Sequence, residues 1–299
     1  MESIILTLLG ALGQGVTWGI MVIGIYISFR LLDFADLSVD GSFATGGCVC
    51  AICMVNNIHP LLAMLLATIA GLITGLITGL LNTKLLIAPI LSGILVQLGL
   101  YSVNLRIMGR SNLPLLKVET LFDKFDNLLS LNDSLIVLII GIIFALIIVI
   151  LLYCFMKTEI GVCLRATGSN EFMVRSLGVN TDNTKILGLV ISNGLVALSG
   201  SLVAQTQGSA DVKMGIGAIV IGLASIIIGE SLFTKKTNFA IRLLCILAGS
   251  VIYRVVIAFV LQLGLNTDDL KLFTAILVTL ALSSPLFINK FKLKKVKEG

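Results

Sequence analysis

Charged residues are scarce in this chain of 299 residues: Asp, Glu, Lys and Arg make up 12%, whereas hydrophobic residues make up 57%. Soluble domains carry about a quarter charged residues, so this composition excludes a soluble fold. The stretch from Ser134 to Met156 has no charge and is long enough to cross a hydrocarbon layer of about 30 Å as a helix. The composition therefore predicts an all-α, polytopic membrane protein.

Histidine is nearly absent as well. The single histidine, His59, stands beside Pro60, so no metal site or nucleophile can be assembled from several histidines. The six cysteines include Cys48, Cys50 and Cys53, but these lie in an apolar stretch, where free cysteine packs as a small hydrophobic residue. The chain also lacks the Gly-x-x-x-x-Gly-Lys-Ser/Thr loop that cradles nucleotide phosphates. We therefore expect no catalytic residue, no metal site and no directly bound cofactor.

Long apolar segments recur along the chain, and nine of them are candidate membrane spans, the second and seventh being short and glycine-rich. They form one domain over residues 1–299, with a first half (1–156), a polar loop (157–185), a second half (186–288) and a basic tail (289–299). The nine segments cover about 4–29, 37–55, 61–81, 85–108, 134–156, 186–205, 216–231, 239–263 and 272–288.

Basic residues fall on one side of these nine spans. The net charge of +5 is thereby explained by membrane orientation and gives no reason to expect a nucleic acid partner. The positive-inside rule predicts an N-terminus outside and a C-terminus in the cytoplasm. The residues on the predicted cytoplasmic side are Arg30, Lys84, Lys157, Arg165, Arg175, Lys185, Lys235, Lys236 and the cluster within 290–297.

A short segment of the chain is echoed in its second half. Residues 34–39 (FADLSV) return as residues 209–214 (SADVKM), each after an apolar span. With an odd number of crossings between them, the two copies lie on opposite sides of the bilayer. This pattern predicts an inverted internal repeat, an arrangement common among transporters.

Small and polar residues inside the spans predict helix packing. Gly71, Gly75 and Gly79 recur every fourth residue, a spacing that lets another helix approach closely and places the third span inside the bundle. Four uncharged polar side chains within spans are expected to join helices by hydrogen bonds. They are Gln97, Asn104, Asn193 and Gln205.

Two charged residues stand at membrane depth, where each requires a partner or a cavity. Asp40 opens the second span beside Gly41 and Ser42, and either shapes a gate or contacts solute. Arg254 lies deep in the eighth span, and its possible partners include Asp40 and Glu230. A purely structural pairing of Arg254 stays as open as a place on a transport path.

The polar loop at 157–185 contains a short predicted helix. Ser169 or Asn170 caps its start and Gly178 ends it. One face then presents Phe172, Met173, Ser176 and Leu177 between charged residues. Exposed apolar residues on so short a helix are typical of a docking surface.

The spacing of Gly161, Arg165, Ala166, Gly168 and Asn170 resembles the coupling loop of permeases in the branched-chain amino acid and ribose class of ABC importers. Three stretches resemble the narrower subgroup associated with tryptophan or tyrosine uptake. They are residues 36–43 (DLSVDGSF), 192–200 (SNGLVALSG) and 210–217 (ADVKMGIG).

This resemblance implies a transport subunit, not an enzyme, that takes up an amino acid or related small solute by ATP-driven alternating access across a bacterial cell membrane. It implies a second copy of the chain, cytoplasmic ATPase subunits that hold ATP and Mg, an extracytoplasmic substrate-binding protein and surrounding lipid. The implied ATPase-docking residues are Asn170, Glu171, Phe172, Met173, Arg175, Ser176, Leu177 and Gly178. The candidate path or gate residues are Asp36, Asp40, Ser42, Asp211 and Arg254.

The main alternative is an ion-coupled secondary transporter, in which Asp40 and Arg254 would serve ion or proton binding. The coupling loop argues against this alternative, because such a transporter needs no docked ATPase. A membrane-embedded enzyme is a third possibility, but the sequence offers no histidine, metal or nucleophile set for it.

Overall fold

The computed structural model describes residues 2–116, 118–129, 132–232, 237–262, 272–276 and 278–279. Most of these residues are helical. The helices are α1 (Glu2–Tyr26), α2 (Val39–Val55), α3 (Pro60–Thr83), α4 (Pro89–Met108), α5 (Leu121–Leu129), α6 (Asp133–Met156), α7 (Glu159–Ser169), α8 (Glu171–Ser176), α9 (Thr181–Gln207), α10 (Ala218–Ser231) and α11 (Phe239–Gln262). A π-helical turn, Ile27–Leu31, extends α1, and two strands, β1 (Asn112–Pro114) and β2 (Ser209–Asp211), complete the fold.

Six helical segments of the described chain are long and apolar enough to cross a membrane. They are Thr7–Leu31, Pro60–Thr83, Pro89–Met108, Asp133–Met156, Thr181–Gln207 and Phe239–Gln262. The apolar helices α2 and α10 are shorter, at 17 and 14 residues, as the sequence predicts for the second and seventh segments. Of the ninth predicted segment, residues 272–276 and 278–279 are helical. Its remaining residues and the basic tail lie outside the described residues.

Helix α9 forms the centre of the bundle and packs against α1, α2 and α3. Hydroxyl groups on α9 tie it to α1, since Ser192 donates a 2.7 Å hydrogen bond to the Gly24 carbonyl and Ser199 donates one of the same length to Thr17. Such bonds give buried hydroxyl groups a partner where no water is available, and they join two helices.

The glycine ladder of α3 faces α9, as predicted. A Cβ atom at Gly71 would lie 2.5 Å from the Asn193 carbonyl oxygen, and one at Gly75 would lie 2.7 Å from the Val190 Cα. The prediction that the third span lies inside the bundle is right for this face and wrong for the opposite one. Large side chains such as Leu65 and Ile73 are exposed on its other face, because the small residues occupy only one stripe of the helix.

We expect Gly75→Leu to destabilise the fold strongly, because its side chain would have to displace the α9 backbone. Overpacking a well-packed core typically costs about 1–3 kcal/mol, and contact with backbone places this variant at the upper end. Thermal unfolding of the purified protein measures the effect. The matched control is Gly99→Leu on α4, since a Cβ at Gly99 meets nothing within 4 Å. Equal midpoints for both variants would contradict the close packing of α3 on α9.

A small antiparallel sheet closes one end of the bundle, pairing Leu113 of β1 with Ala210 of β2. We call this the strand end; α4 and α9 both finish there. The opposite end, where α6 finishes and α9 begins, carries α7 and α8, and we call it the loop-helix end. The sheet and α5 were not predicted, because strands of three residues show no periodicity that a sequence pattern can detect.

Candidate functional site

The chain reverses direction near the loop-helix end, between the π-helical turn and α2. Asp33, exposed at this reversal, has a positive φ of 54°, which aspartate tolerates better than most residues. The following residues run back into the core, so that Asp36 is only 1% exposed. Aspartate at a buried turn can bond the backbone two residues ahead, and here the Ser38 N–H donates to Asp36 Oδ1 over 2.9 Å.

Asp36 and Ser42 meet in a closed hydrogen-bond network around Asn193 of α9. The Asn193 Nδ2 donates to Asp36 Oδ2 over 2.7 Å, and its Oδ1 accepts from Ser42 Oγ over 2.6 Å. Ser42 Oγ also lies 2.7 Å from Thr74 Oγ1 of α3. Ser38 Oγ completes the network with a 2.5 Å bond to Asp36 Oδ1. Three helices and the reversal are thus held at one buried point, which we call the central latch (Asp36, Ser38, Ser42, Thr74 and Asn193).

Asp40 caps the start of α10. Its Oδ2 accepts from the Gly217 N–H over 3.0 Å and its Oδ1 from the Ile219 N–H over 2.9 Å. These donors are among the unpaired N–H groups at a helix N-terminus, where the helix dipole also favours a carboxylate. Gly215 allows this contact, because a Cβ there would overlap the Asp40 carbonyl. The first turns of α2 and α10 therefore meet at Asp40.

Arg254 pairs with neither predicted acid. Glu230 forms an ion pair with Arg30, and Asp40 is occupied by α10. The guanidinium carbon of Arg254 instead lies 3.9 Å from the ring centroid of Trp18, a cation–π contact. It lines a cavity of about 500 Å³ between α1 and α11. An aromatic face can take the place of a counter-ion for a cation at membrane depth. A prediction that considers only acidic partners for Arg254 therefore misses Trp18.

Asp211 lies at the strand end, on β2. Its Oδ1 accepts from the Lys213 N–H over 2.7 Å, and its Oδ2 accepts from Asn112 Nδ2 of β1 over 3.3 Å. The residue is partly exposed, whereas Asp36 is enclosed. The two echoed aspartates therefore share a local turn but have different surroundings.

The helix predicted in the polar loop is present as α8, and its predicted ends are confirmed. Asn170 Oδ1 accepts from the Met173 N–H over 3.0 Å, and Gly178 takes a positive φ of 84°. The preceding helix α7 was not predicted, although Thr158 marks its start by accepting from the Gly161 N–H over 3.3 Å. Small residues let α7 pack tightly, since a Cβ at Gly161 would lie 2.5 Å from the Met156 Cα.

Apolar side chains on one face of α8, and Leu177 just after it, point away from the protein. Phe172 is 83% exposed and Leu177 73%, whereas Val174, on the opposite face, is 2% exposed. The helix is fixed to α9 by ion pairs: Lys185 Nζ lies 2.6 Å from Glu171 Oε2, and Arg175 lies 3.2 Å from Asp182 Oδ1. The bond from Lys185 is the main cause that lowers the pKa of Glu171 below its usual value. The loop-helix end therefore presents an exposed apolar surface on a helix that is ion-paired to α9.

Of the four amide side chains expected to join helices by hydrogen bonds, two form such bonds and two do not. Asn193 belongs to the central latch, and Gln205 Oε1 accepts from the Leu121 N–H over 3.0 Å. Gln97 and Asn104 have no side-chain hydrogen bond in the described part of the protein, although Asn104 is only 1% exposed. Both line a cavity of about 250 Å³ together with Asp40. Their prediction as joining residues is wrong, because they face this cavity instead of a neighbouring helix.

In the part of the chain that the structure describes, no group of three or more His, Cys, Asp or Glu side chains could hold a metal ion. Cys48 and Cys50 are buried in the apolar core, which confirms their predicted packing role.

Six helices long and apolar enough to cross a membrane, together with a buried polar latch and an exposed apolar surface at one end, are the features of a multi-pass membrane protein. The chain belongs to the family described as branched-chain amino acid transport system, permease component, which it matches over residues 7–282. The resemblance to importer permeases is thereby confirmed.

Two relatives are similar to the chain over most of its length. A protein of Clostridioides difficile (strain R20291) described as a tyrosine transport system permease protein is 45% identical over 91% of this chain and 88% of its own. An uncharacterised protein of Rickettsia prowazekii (strain Madrid E) is 36% identical over 93% of this chain and 97% of its own. No solved structure gives a significant match.

Proposed function

We propose that the chain is the membrane subunit of an ATP-driven importer of an amino acid, with tyrosine as the first solute to test. The observation that carries this proposal is the exposed apolar surface of α8 on its ion-paired support. The name of the similar Clostridioides difficile protein supports the choice of solute. ATP and Mg are held by a separate ATPase, since this sequence has no phosphate-binding loop of its own.

The ATPase docks on α8 in this proposal. Phe172, Met173 and Leu177 are more than half exposed at an end of the bundle that also carries charged side chains. An apolar surface in water favours a protein partner. A helix that inserts its apolar side chains into a groove is a common mode of such recognition.

The loop-helix end is cytoplasmic and the strand end extracytoplasmic in this proposal, with nine crossings in total. Arg30, Lys157, Arg165 and Lys185 all lie at the loop-helix end, which agrees with the positive-inside rule. Pairing of β1 with β2 also supports the alternation of spans, because it requires α4 and α9 to finish on the same side. The substrate-binding protein then delivers solute at the strand end, beside Asp211.

An inverted repeat is supported by the two short helices. Each follows one copy of the echoed segment; α2 runs toward the strand end, and α10 runs from Asp40 toward the loop-helix end. We infer that Asp40 lines the path, that Asp36 and Ser42 hold the inner gate through the central latch, and that Asp211 serves the outer mouth. A second copy of the chain covers the open side of the Asp40 cavity, because lipid against a carboxylate is unfavourable.

Reconstituted uptake tests the proposal. The chain, its ATPase and its binding protein are placed in proteoliposomes, and entry of radiolabelled L-tyrosine is followed with ATP, or with a proton or sodium gradient alone. We expect uptake with ATP and none with either gradient. Uptake driven by a gradient without ATP would instead establish a secondary transporter.

The proposed orientation has its own test. In a chain whose native cysteines are replaced by alanine, His59→Cys at the strand end and Ser169→Cys at the loop-helix end are exposed to a membrane-impermeant maleimide in intact cells. We expect labelling of the first variant only, and labelling of the second after the cells are opened. Labelling of both in intact cells contradicts the alternation of spans.

A further inference from the structure

We propose that the cavity between α2, α4 and residues 212–216 binds the transported solute and selects a phenolic amino acid, with Asp40 at its ammonium end and Asn104 at its hydroxyl end. This inference rests on the proposed importer function and adds a binding site to it. The cavity is lined by Asp40, Gln97, Tyr101 and Asn104 with apolar neighbours that include Val212 and Ile216.

Asn104 is the observation that points to a ligand. The side chain is buried at 1% exposure, and neither its Nδ2 nor its Oδ1 has a partner among the residues that the structure describes. Buried polar groups are nearly always hydrogen-bonded, and an unpaired amide destabilises the fold. A donor and an acceptor kept unpaired beside a cavity are explained by a ligand that bonds both. A hydroxyl group does this, because it donates one hydrogen bond and accepts others.

Asp40 supplies the other end of the site. A carboxylate has about four acceptor positions, and the Gly217 and Ile219 N–H groups occupy two of them. The cavity lining contains no Lys, Arg or His, so Asp40 gives it a negative charge. An ammonium group, which has hydrogen-bond donors and no acceptor, fits this position. Gln97 lies next to Asp40 in the cavity lining, since its Cα would be 3.2 Å from a Cβ at the adjacent Gly41. The free amide of Gln97 is therefore available to the carboxylate of a solute.

The size of the cavity matches one amino acid. Its volume of about 250 Å³ lies just below the range of about 300–1,000 Å³ typical of small-molecule pockets. Gln97 and Asn104 stand two turns apart on α4, a separation of about 10 Å along the helix. The Tyr101 side chain and its apolar neighbours lie between these polar ends, where an aromatic ring would pack. Tyrosine has this arrangement of ammonium, ring and hydroxyl, whereas phenylalanine lacks the last group.

The test is binding of radiolabelled L-tyrosine to the purified permease–ATPase complex in lipid nanodiscs, without the binding protein. The competitors are L-phenylalanine, which lacks the hydroxyl, and 3-(4-hydroxyphenyl)propionate, which lacks the ammonium. We expect phenylalanine to compete about tenfold less well than tyrosine, because it gains no hydrogen bond with Asn104. The propionate should not compete, because it places no cation at Asp40.

Two variants assign the ends of the site. Asn104→Leu should lower tyrosine affinity by about tenfold and abolish the preference over phenylalanine, while its thermal midpoint stays equal to or above wild type because an unpaired amide is removed. Asp40→Asn keeps a hydrogen-bond acceptor for the start of α10 but removes the negative charge. It should therefore abolish the preference for tyrosine over the propionate, which lacks the ammonium group. Ser102→Leu, on the exposed face of the same helix, is the matched control and should bind as wild type does.

Equal competition by tyrosine and phenylalanine in wild type, or unchanged tyrosine affinity in Asn104→Leu, overturns the site and identifies a cavity that holds only water. A lowered thermal midpoint for Asn104→Leu also overturns it, since Asn104 would then have a structural role. If the wild-type complex takes up tyrosine while binding fails in this way, the proposed importer function stands without the site. If the wild-type complex, supplied with its binding protein, takes up no amino acid with ATP, both fail.

Discussion

The double variant Phe172→Asp, Leu177→Asp is expected to lose ATP-driven uptake while the membrane domain stays folded. Burying a Phe or Leu side chain contributes about 1.5–3 kcal/mol each, so losing both weakens ATPase binding by at least about a hundredfold. Both side chains are exposed in the isolated chain, and their replacement therefore removes few contacts within it. Uptake, retention of the ATPase during purification and thermal unfolding are the three measurements.

Added negative charge alone must be separated from loss of the apolar surface. Ser169→Asp combined with Asn183→Asp adds the same two charges at exposed positions of the loop-helix end, and should keep the ATPase bound. Val174→Asp is the contrasting variant, because Val174 lies on the buried face of α8 and its replacement should detach α8 from its support. Normal uptake by the Phe172 and Leu177 double variant removes the docking assignment.

Asn193→Leu is expected to have the second large effect, by breaking the central latch. The substitution leaves Asp36 Oδ2 and Ser42 Oγ without their Asn193 partner inside the bundle. Ser42 Oγ keeps its contact with Thr74 Oγ1, so the main loss is at Asp36 Oδ2. A buried polar group left unpaired costs about 1–3 kcal/mol, and more when it is charged, so the variant should lose roughly 3 kcal/mol of stability. Thermal unfolding in detergent measures the loss, and uptake should fall with it.

Two further variants test whether the loss of stability comes from the central latch. Asn183→Leu introduces the same change on α9 at an exposed position, and should leave the thermal midpoint near wild type. Thr74→Ala removes only one hydroxyl from the edge of the network, so its effect should fall between the two. If Asn193→Leu unfolds at the same temperature as Asn183→Leu, Asn193 does not hold the helices together.

Local features of this fold could be predicted from the sequence, because neighbouring residues determine them. Asn170 and Gly178 mark the ends of α8 through capping and a positive φ, and the glycine ladder predicts the contact of α3 by its spacing. Long uncharged stretches predict the spans for the same reason. Hydrophobic length is a property of a contiguous segment.

The partners of charged and polar groups at membrane depth could not be predicted, because they depend on which distant segments meet. Asp40 is paired by the N–H groups of Gly217 and Ile219, and Arg254 by the ring of Trp18. A prediction that pairs residues of opposite charge includes neither backbone N–H donors nor aromatic rings. The free amide of Asn104 was mistaken for a helix contact because a sequence does not reveal which buried positions border a cavity.

Helix α10 connects Asp40 of α2 with Arg30 of the π-helical turn. Its first turn is fastened to α2 through Asp40, and Glu230 in its last turn is fastened to Arg30 after α1. At 14 residues it spans about 21 Å, from the proposed solute cavity to the loop-helix end. A helix transmits a push or a tilt along its axis without unfolding. Under the proposed function, an ATPase that shifts the Arg30 end would move the wall of the cavity beside Asp40 as well, and would thereby couple its cycle mechanically to the proposed solute site.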